Sequence, residues 1–547
     1  MKKKIFGILV TLMLAVSLLM VPAVVADGKV DLLEGSFICE QDGWLFVHLE
    51  GTPYEIGYQN GYLVAESANF WLISYVGTGK GAEPSREVAK VIWPMIPEEY
   101  QQEIDGIVDG LHAAGYTNWD RWDVVAANAW ADERTYRGLV GEGGGCSAFA
   151  ATGDATTDGQ IVLGHITMSG KAGDFMYYVM FDVTPDEGYR FRYQSAGASM
   201  WSGQDWYLNE TGLIVAETSL SNRVRNPEGI PVFVRIRQAL QYTDNIDDFI
   251  DVMTTDNSGS YPNEWLVGDA KTGEICSLML GCYAWDINRT FNGFYPSCNY
   301  PYYDNFREEA GRPVPAPWPP TSTRALRWIE LIDQYYGEID VEVGKLFFED
   351  DIISSYAPTK TSGGYDGKVS STDLVLDNMG MWARWGNAAG KPFDIEAYLE
   401  GRTKKWIAQR KDYIANLQRY VDRTPQPWTY LVEAIVEWNI DIKPGSYPNS
   451  INLESEGVVP VAVLTTDCNC FKASDVDPEN VTFAGAAAIR WTQEDVDGDG
   501  DMDMLFYFRT EDLVLTEEST EATLTGTTYA GPVIQGTHTV NIVPTKD

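Results

Sequence analysis

The chain has 547 residues, 44% apolar and 22% charged, a balance that excludes global disorder and suggests about two to four folded domains. Forty Lys plus Arg stand against 79 Asp plus Glu, a net charge of −39. Such a surface repels phosphate backbones and anionic membranes, so nucleic acid is excluded as a natural partner and divalent cations are favoured.

Residues 1–26 read as a secretory signal peptide. Lys2, Lys3 and Lys4 form a basic start, an apolar run extends from Ile5 to Val21, and Val24-Val25-Ala26 offers small residues before Asp27. The alternative is a retained membrane anchor. No later apolar run reaches the ~18 residues that span a bilayer. The expected location is therefore secreted, with cell-surface association as a variant. Outside the cytosol disulfides are permitted, and the seven cysteines (Cys39, Cys146, Cys276, Cys282, Cys298, Cys468, Cys470) are an odd number. At least one thiol is left over. With Cys146 set aside, six remain for disulfides, in pairings the sequence leaves open.

The expected fold is α+β over residues 27–423, a linker at 424–439 and a small all-β sandwich over 440–547. In the first region Glu98 to Ala114 carries Ile104, Ile107, Val108 and Leu111 at helical spacing. Arg324–Tyr336 and Ile395–Tyr420 also read as helices. Gln160–Thr167 and Tyr177–Val183 alternate as strands, and that mixture suggests sheets covered by helices. Trp428–Trp438 reads as a short connecting helix. Beyond it, Ser450–Leu453, Val458–Leu464, Met504–Phe508, Ala522–Leu524 and Thr539–Val543 are short β-rich runs with turn residues between them.

The chemistry concentrates at Gly143-Gly-Gly-Cys146-Ser-Ala-Phe. A glycine run precedes Cys146, and a strand, a turn at Asp154–Gly159 and a second strand follow. Pairing Gly153 with Gln160 sets Cys146 opposite Thr167 and Ala148 opposite His165. Neighbours on one face of such a hairpin lie about 5–8 Å apart, so a His and a Thr come beside the thiol. A papain-like arrangement places its His far downstream and does not fit. Self-cleavage at Gly145-Cys146 does: the glycine leaves its peptide uncrowded, and the new α-amine, with a pKa of about 8, serves as base for its own thiol. A buried structural thiol or half of a disulfide is the bland alternative.

Five segments then carry a resemblance. Gly51-Thr-Pro-Tyr-Glu-Ile-Gly-Tyr-Gln-Asn-Gly61 resembles the early glycine motif of enzymes related to acyl-CoA:6-aminopenicillanate acyltransferase. Cys146-Ser-Ala with His165-Ile-Thr-Met168 resembles the nucleophile and His-Asn-Thr-Trp motifs of the phospholipase B-like family. Asn263-Glu-Trp-Leu-Val-Gly-Asp269, Gly364-Tyr-Asp-Gly-Lys-Val-Ser370, and Arg384-Trp-Gly-Asn with Lys391-Pro-Phe393 are similar to later motifs of that family, in its order. Ile166 and Met168 depart from the motif's Asn and Trp. The resemblance implies the αββα sandwich of N-terminal-nucleophile (Ntn) hydrolases, an autoprocessed Cys146, and a small-molecule amide or lipid acyl substrate. The implied site has Cys146 as nucleophile and His165 orienting the amine or thiol. Thr167 hydrogen-bonds the end of the strand, and the Asn263 side chain donates to an oxyanion. Ser147 contributes near the cut, and Asp269, Asp366 and Lys368 are expected as structural ion pairs. Acyl transfer to an amine is the neighbouring activity. A non-catalytic surface or carbohydrate-binding protein is the reading from another class.

In the β-rich region Asp495-Val-Asp497-Gly-Asp499-Gly-Asp501-Met-Asp503 matches the start of a calcium loop, with alternate carboxylates around a glycine turn. Phe506 occupies the place of the usual terminal Glu, so this is not a complete EF-hand. Structural Ca2+ bound by Asp495, Asp497, Asp499, Asp501 and Asp503 is expected, and no cofactor for catalysis.

Overall fold

The computed structural model describes residues 32–137 (apart from 42 and 78), 145–168, 177–354, 365–390, 399, 403–404, 426–432, 436–465, 472–528 and 533–543. The expected signal peptide, Cys468 and Cys470, and all of the Ile395–Tyr420 helix but residues 399, 403 and 404 lie outside the described residues. No helix among the described residues is long and apolar enough to cross a membrane.

Among the described residues, fifteen strands up to residue 431 form two sheets. They are β1 (Phe37–Gln41), β2 (Trp44–Gly51), β3 (Gly145–Gly153), β4 (Gly159–Met168), β5 (Val179–Pro185), β6 (Phe191–Ser195), β7 (Trp206–Asn209), β8 (Leu213–Ser219), β9 (Asn263–Asp269), β10 (Glu274–Leu280), β11 (Trp285–Thr290), β12 (Gly293–Ser297), β13 (Tyr365–Ser371), β14 (Met381–Asn387) and β15 (Thr429–Leu431). The first sheet has the order β1-β2-β5-β6-β7-β8-β9-β10-β11, with only β2 and β5 parallel; the second runs β12-β3-β4-β13-β14-β15.

The sheets stack because alternate residues of β3 and β4 are apolar on both faces. Ala148, Ala150, Ile161 and Leu163 share one core with Ala216 and Leu266 of the first sheet. Phe149, Ala151, Val162 and Ile166 point the other way, onto Trp328, Phe347 and Phe348 of helices Thr323–Tyr335 and Val341–Glu349. Gly268 lies beneath Ile161, where a Cβ would sit 3.0 Å from the isoleucine Cγ2. On the far side of the first sheet lie helices including α1 (Pro53–Leu63), α2 (Glu98–Ala113) and α3 (Ile246–Thr254), whose Phe249 meets Trp265 edge to face at 6.1 Å. Mixed helix and sheet content was expected, and two inner sheets between two helical layers is its form here.

The glycines of the first motif have a packing reason. Gly57 and Gly61 on α1 face Gly106 and Gly110 on α2, and a Cβ on any of the four would approach the opposite backbone to 1.9–2.2 Å. Two helices cross this closely only where no side chain intervenes.

The described parts of the segment expected as a connecting helix, 428–432 and 436–438, are not helical. Thr429–Leu431 pairs with Met381–Ala383, so part of the expected 424–439 linker is the edge strand of the second sheet, and Val436–Glu437 starts another sheet. Pro425 and Pro427 discourage helix just ahead of it, and the β-forming Thr429 and Tyr430 suit an edge.

Beyond residue 436 the described chain contains no α-helix. One sheet runs Val436–Glu437, Val533–Thr539, Glu521–Thr528, Val476–Phe483, Ala486–Ala487 in spatial order; the other runs Ile440–Ile442, Val458–Val463, Asp503–Arg509, Arg490–Glu494. Phe483 and Phe508 join them at 5.4 Å.

Cys276, Cys282 and Cys298 are buried free thiols, so the expected disulfides do not involve them. The reason is placement: Cys276 lies in the core around the first sheet, whereas Cys298 lies under the helices of the second.

Candidate active site

The β3–β4 hairpin has the register deduced from the sequence. Cys146 pairs with Thr167 and Ala148 with His165, and only the turn end differs, where a bulge sets Gly153 opposite Gly159. Gly145 is buried opposite Met168. Cys146 is 2% exposed and His165 fully buried.

The first sheet adds what the hairpin lacks. Asp205, in the turn before β7, places Oδ2 3.8 Å from Cys146 Sγ. Sγ, a His165 ring nitrogen and an Asp205 oxygen all lie within 4.8 Å of one another. Neither ring nitrogen of His165 makes a well-aligned hydrogen bond, although the Glu217 backbone lies beside the ring. Asp205 adopts a left-handed backbone, φ 58°. Buried amides hold the loop that leads to it: Asn60 Nδ2 donates to Ser199 O at 3.2 Å, and Asn128 Nδ2 to Ala198 O at 2.9 Å. Thr167 Oγ1 donates to Gln204 O at 3.3 Å, tying hairpin to loop.

Behind Asp205 stands Glu217 of β8, whose Oε1 accepts from Tyr261 Oη at 2.7 Å. Burial raises both carboxyls, and Glu217, which also faces the charge of Asp205, is raised furthest. Asp205 is thus the readier anion of the pair. Burial, then the charges of Asp205 and Glu217, push the Cys146 thiol well above its ordinary range, against lowering contributions from the Arg324 charge and the Ser219 backbone N–H. Burial and nearby Lys368 hold the His165 imidazole well below its usual value, hence neutral. The thiol is therefore protonated as it stands and needs a base at the moment of attack.

The start of β3 is pinned from outside. The Cys146 backbone N–H donates to Asn299 Oδ1 at 2.8 Å. Arg324 donates to the Cys146 carbonyl, to Ser147 Oγ at 3.1 Å and to Asn299 Oδ1 at 2.8 Å. Ser147 Oγ itself donates to Ile353 O. Lys368 and Asp366 are bridged through the Gln194 amide: Lys368 Nζ donates to Oε1 at 2.8 Å and Nε2 donates to Asp366 at 3.2 Å. Asp269 accepts from the Lys271 backbone N–H. Asn263 opens β9 opposite Ser219, close to the Glu217 carboxylate, yet its amide forms no well-aligned hydrogen bond.

The hairpin partners were deducible because a register needs only local sequence. Asp205, Glu217, Tyr261, Asn299 and Arg324 were not foreseen. They lie 59 to 178 positions from Cys146 and belong to no short motif. The only local hint is the turn-forming Gly203-Gln-Asp205 ahead of a strand.

The acidic loop brings together carboxylate oxygens of Asp495, Asp497 and Asp503. Asp495 accepts from Gly498 N, Asp497 from Asp499 N and Asp499 from Asp501 N, which wraps the loop around its glycines. Desolvation and the charge of Asp499 raise the Asp501 carboxyl to about 6. Crowded carboxylates on a tight turn are a donor set that suits a hard cation.

No family profile matches the chain. It is 25% identical over 401 residues to an uncharacterized protein of Archaeoglobus fulgidus, which covers 63% of this chain. The chain spans 64% of the length of that relative. Two solved structures of conjugated bile acid hydrolase variants from Clostridium perfringens align at 12% and 14% identity, over 44% of this chain and 89% of theirs, with TM-scores of 0.28 and 0.26.

Proposed function

We propose that the protein is a secreted, self-cleaving cysteine hydrolase of the N-terminal-nucleophile type, acting on an amide or acyl-ester bond through a thioester on Cys146. The observation that carries this reading is the placement of a glycine-preceded cysteine as the second residue of an inner strand, with Asp205 Oδ2 3.8 Å from its sulfur. The two inner sheets between helical layers suit the Ntn arrangement.

In the first step Asp205 accepts the thiol proton and Sγ attacks the Gly145 carbonyl carbon. The peptide C–N bond breaks, the Cys146 nitrogen takes the proton back from Asp205, and a thioester links Gly145 to Sγ. Water hydrolyses it, which leaves a Gly145 carboxylate and a free α-amine on Cys146. Asn299 Oδ1, which now accepts from the Cys146 N–H, is placed to hold that amine. In turnover the amine takes the thiol proton, Sγ takes the acyl group and the leaving amine or alcohol departs protonated; water then frees the acid. Asn263 is the proposed oxyanion donor, because its buried amide beside Glu217 forms no well-aligned hydrogen bond that would hold it there. An aromatic wall suits an apolar acyl group: Tyr261 meets Trp130 at 5.2 Å and Trp201 at 5.9 Å, and Trp130 reaches surface Tyr75 at 6.1 Å. The acidic loop at Asp495–Asp503 is proposed as a calcium site that stiffens the β-rich region and takes no part in the chemistry.

The test is the intact mass, under reducing conditions, of the purified wild-type chain and of Cys146→Ala. Wild type in two pieces, one ending at Gly145 and one beginning at Cys146, with the variant whole, supports the proposal. An uncut wild-type chain overturns the self-cleavage. A screen of amides and acyl esters then defines the substrate.

A further inference from the structure

The same cluster has a second chemistry. Cys146, His165 and Asp205 are three different metal-ligating side chains, from strands β3 and β4 and the turn before β7, with ligand atoms all within 4.8 Å of each other. A zinc-class ion with bonds of about 2.3 Å to sulfur and about 2.1 Å to oxygen has a tetrahedral S···O edge of about 3.6 Å. The observed Sγ to Asp205 Oδ2 separation is 3.8 Å. His165 is fully buried and neither ring nitrogen makes a well-aligned hydrogen bond, the Glu217 backbone being its one weak polar contact among the described residues, so a nitrogen is open to a ligand. Glu217 stands behind Asp205 as a fourth oxygen source or as the group that orients it.

We infer that Cys146, His165 and Asp205 form a binding site for a divalent transition metal of the zinc class, and that the metal and the self-cleavage compete for the same sulfur. A metal-bound Sγ has its lone pair engaged and cannot attack Gly145. The site would keep the chain whole wherever such a metal is abundant and release it to cleave where it is chelated. Thiolate and imidazole select this class over calcium, which the oxygen-only loop at Asp495–Asp503 suits. The metal site itself does not rest on the proposed hydrolase reading, because binding is measured apart from cleavage.

The experiment is a titration of the full, chelator-treated chain with Co2+, followed by near-ultraviolet and visible absorption. The expected result is a thiolate-to-cobalt charge-transfer band that saturates at one equivalent, with tetrahedral d–d bands, both lost on adding Zn2+. Cys146→Ser is expected to lose the charge-transfer band, and His165→Gln to weaken binding at least tenfold. A wild-type chain that shows no such band overturns the site without any variant. A band that persists in Cys146→Ser assigns the metal to another thiol and overturns it as well. If the site stands, zinc slows the appearance of cleaved chain and a chelator restores it. Binding without an effect on cleavage overturns the competition alone.

Discussion

Cys146 Sγ and Asp205 Oδ2 lie 3.8 Å apart although 59 positions separate them in the chain. A strand of one sheet carries the sulfur and a left-handed turn of the other carries the carboxylate. The contact exists only when the sheets stack. It places a carboxylate able to take the thiol proton before any α-amine exists. Asp205→Asn keeps the shape and tolerates the left-handed backbone, but cannot accept the proton. Self-cleavage followed by mass is expected to slow at least ~100-fold, the lower range of general-base effects, with an unchanged circular dichroism spectrum. Cleavage at the wild-type rate would remove Asp205 from the mechanism.

The crossing of α1 and α2 depends on four glycines. In Gly57→Ala the new methyl meets the Glu103 carbonyl oxygen at 1.9 Å, backbone that cannot swing aside. A loss of about 1–3 kcal/mol or more is expected from overpacking. Gly81→Ala, which meets nothing within 4 Å, is the control and should be nearly neutral. Denaturant midpoints compare the two, and equal midpoints would contradict the packing account.

Glu264 sits between the sheets, where it accepts from Ser277 and Ser297 at 2.7 Å each. Burial nevertheless raises its carboxyl from 4.5 to about 7. A raised folded value means that the native state binds more protons than the unfolded chain between these limits. The contribution is fully present below about pH 4.5 and is lost as pH rises through 7. Its size is on the order of 3 kcal/mol. Glu264→Gln should flatten that part of the stability–pH curve and melt higher than wild type at pH 8. Parallel curves for the two proteins would show that Glu264 does not titrate there.

Calcium should stabilise the β-rich region. At a free concentration 100 times the dissociation constant, the gain is about 2.7 kcal/mol. Thermal melting in calcium against chelator reads it, and Asp497→Ala should abolish the difference, since Asp497 lies among the gathered carboxylates. Magnesium serves as the comparison ion and should act more weakly, because it demands a stricter octahedron. Identical melting in calcium and chelator would leave the loop a solvated turn.

Local sequence was enough for some features and not for others. Alternation and a turn of known length settle which residues of a hairpin oppose each other, so Cys146–Thr167 and Ala148–His165 follow from the residues 145–168 alone. Helical spacing likewise placed Glu98–Ala113 within one residue of its observed end. The stretch after Pro427 misled, because its apolar spacing suits a helix while an open sheet edge recruits it as β15.

The sequence by itself determined the nucleophile candidate, its hairpin partners, the acidic loop and the mixed class of the fold. All of these rest on neighbours in the chain or on the period of a pattern. Only the tertiary structure decided the thiol's environment. Asp205, Glu217, Asn299 and Arg324 reach Cys146 through stacking of two sheets and packing of a helix, and no local pattern encodes which distant carboxylate a buried sulfur will meet. Burial then locks the thiol in its protonated form and the histidine in its neutral form, because a low-dielectric interior penalises whichever form is ionised.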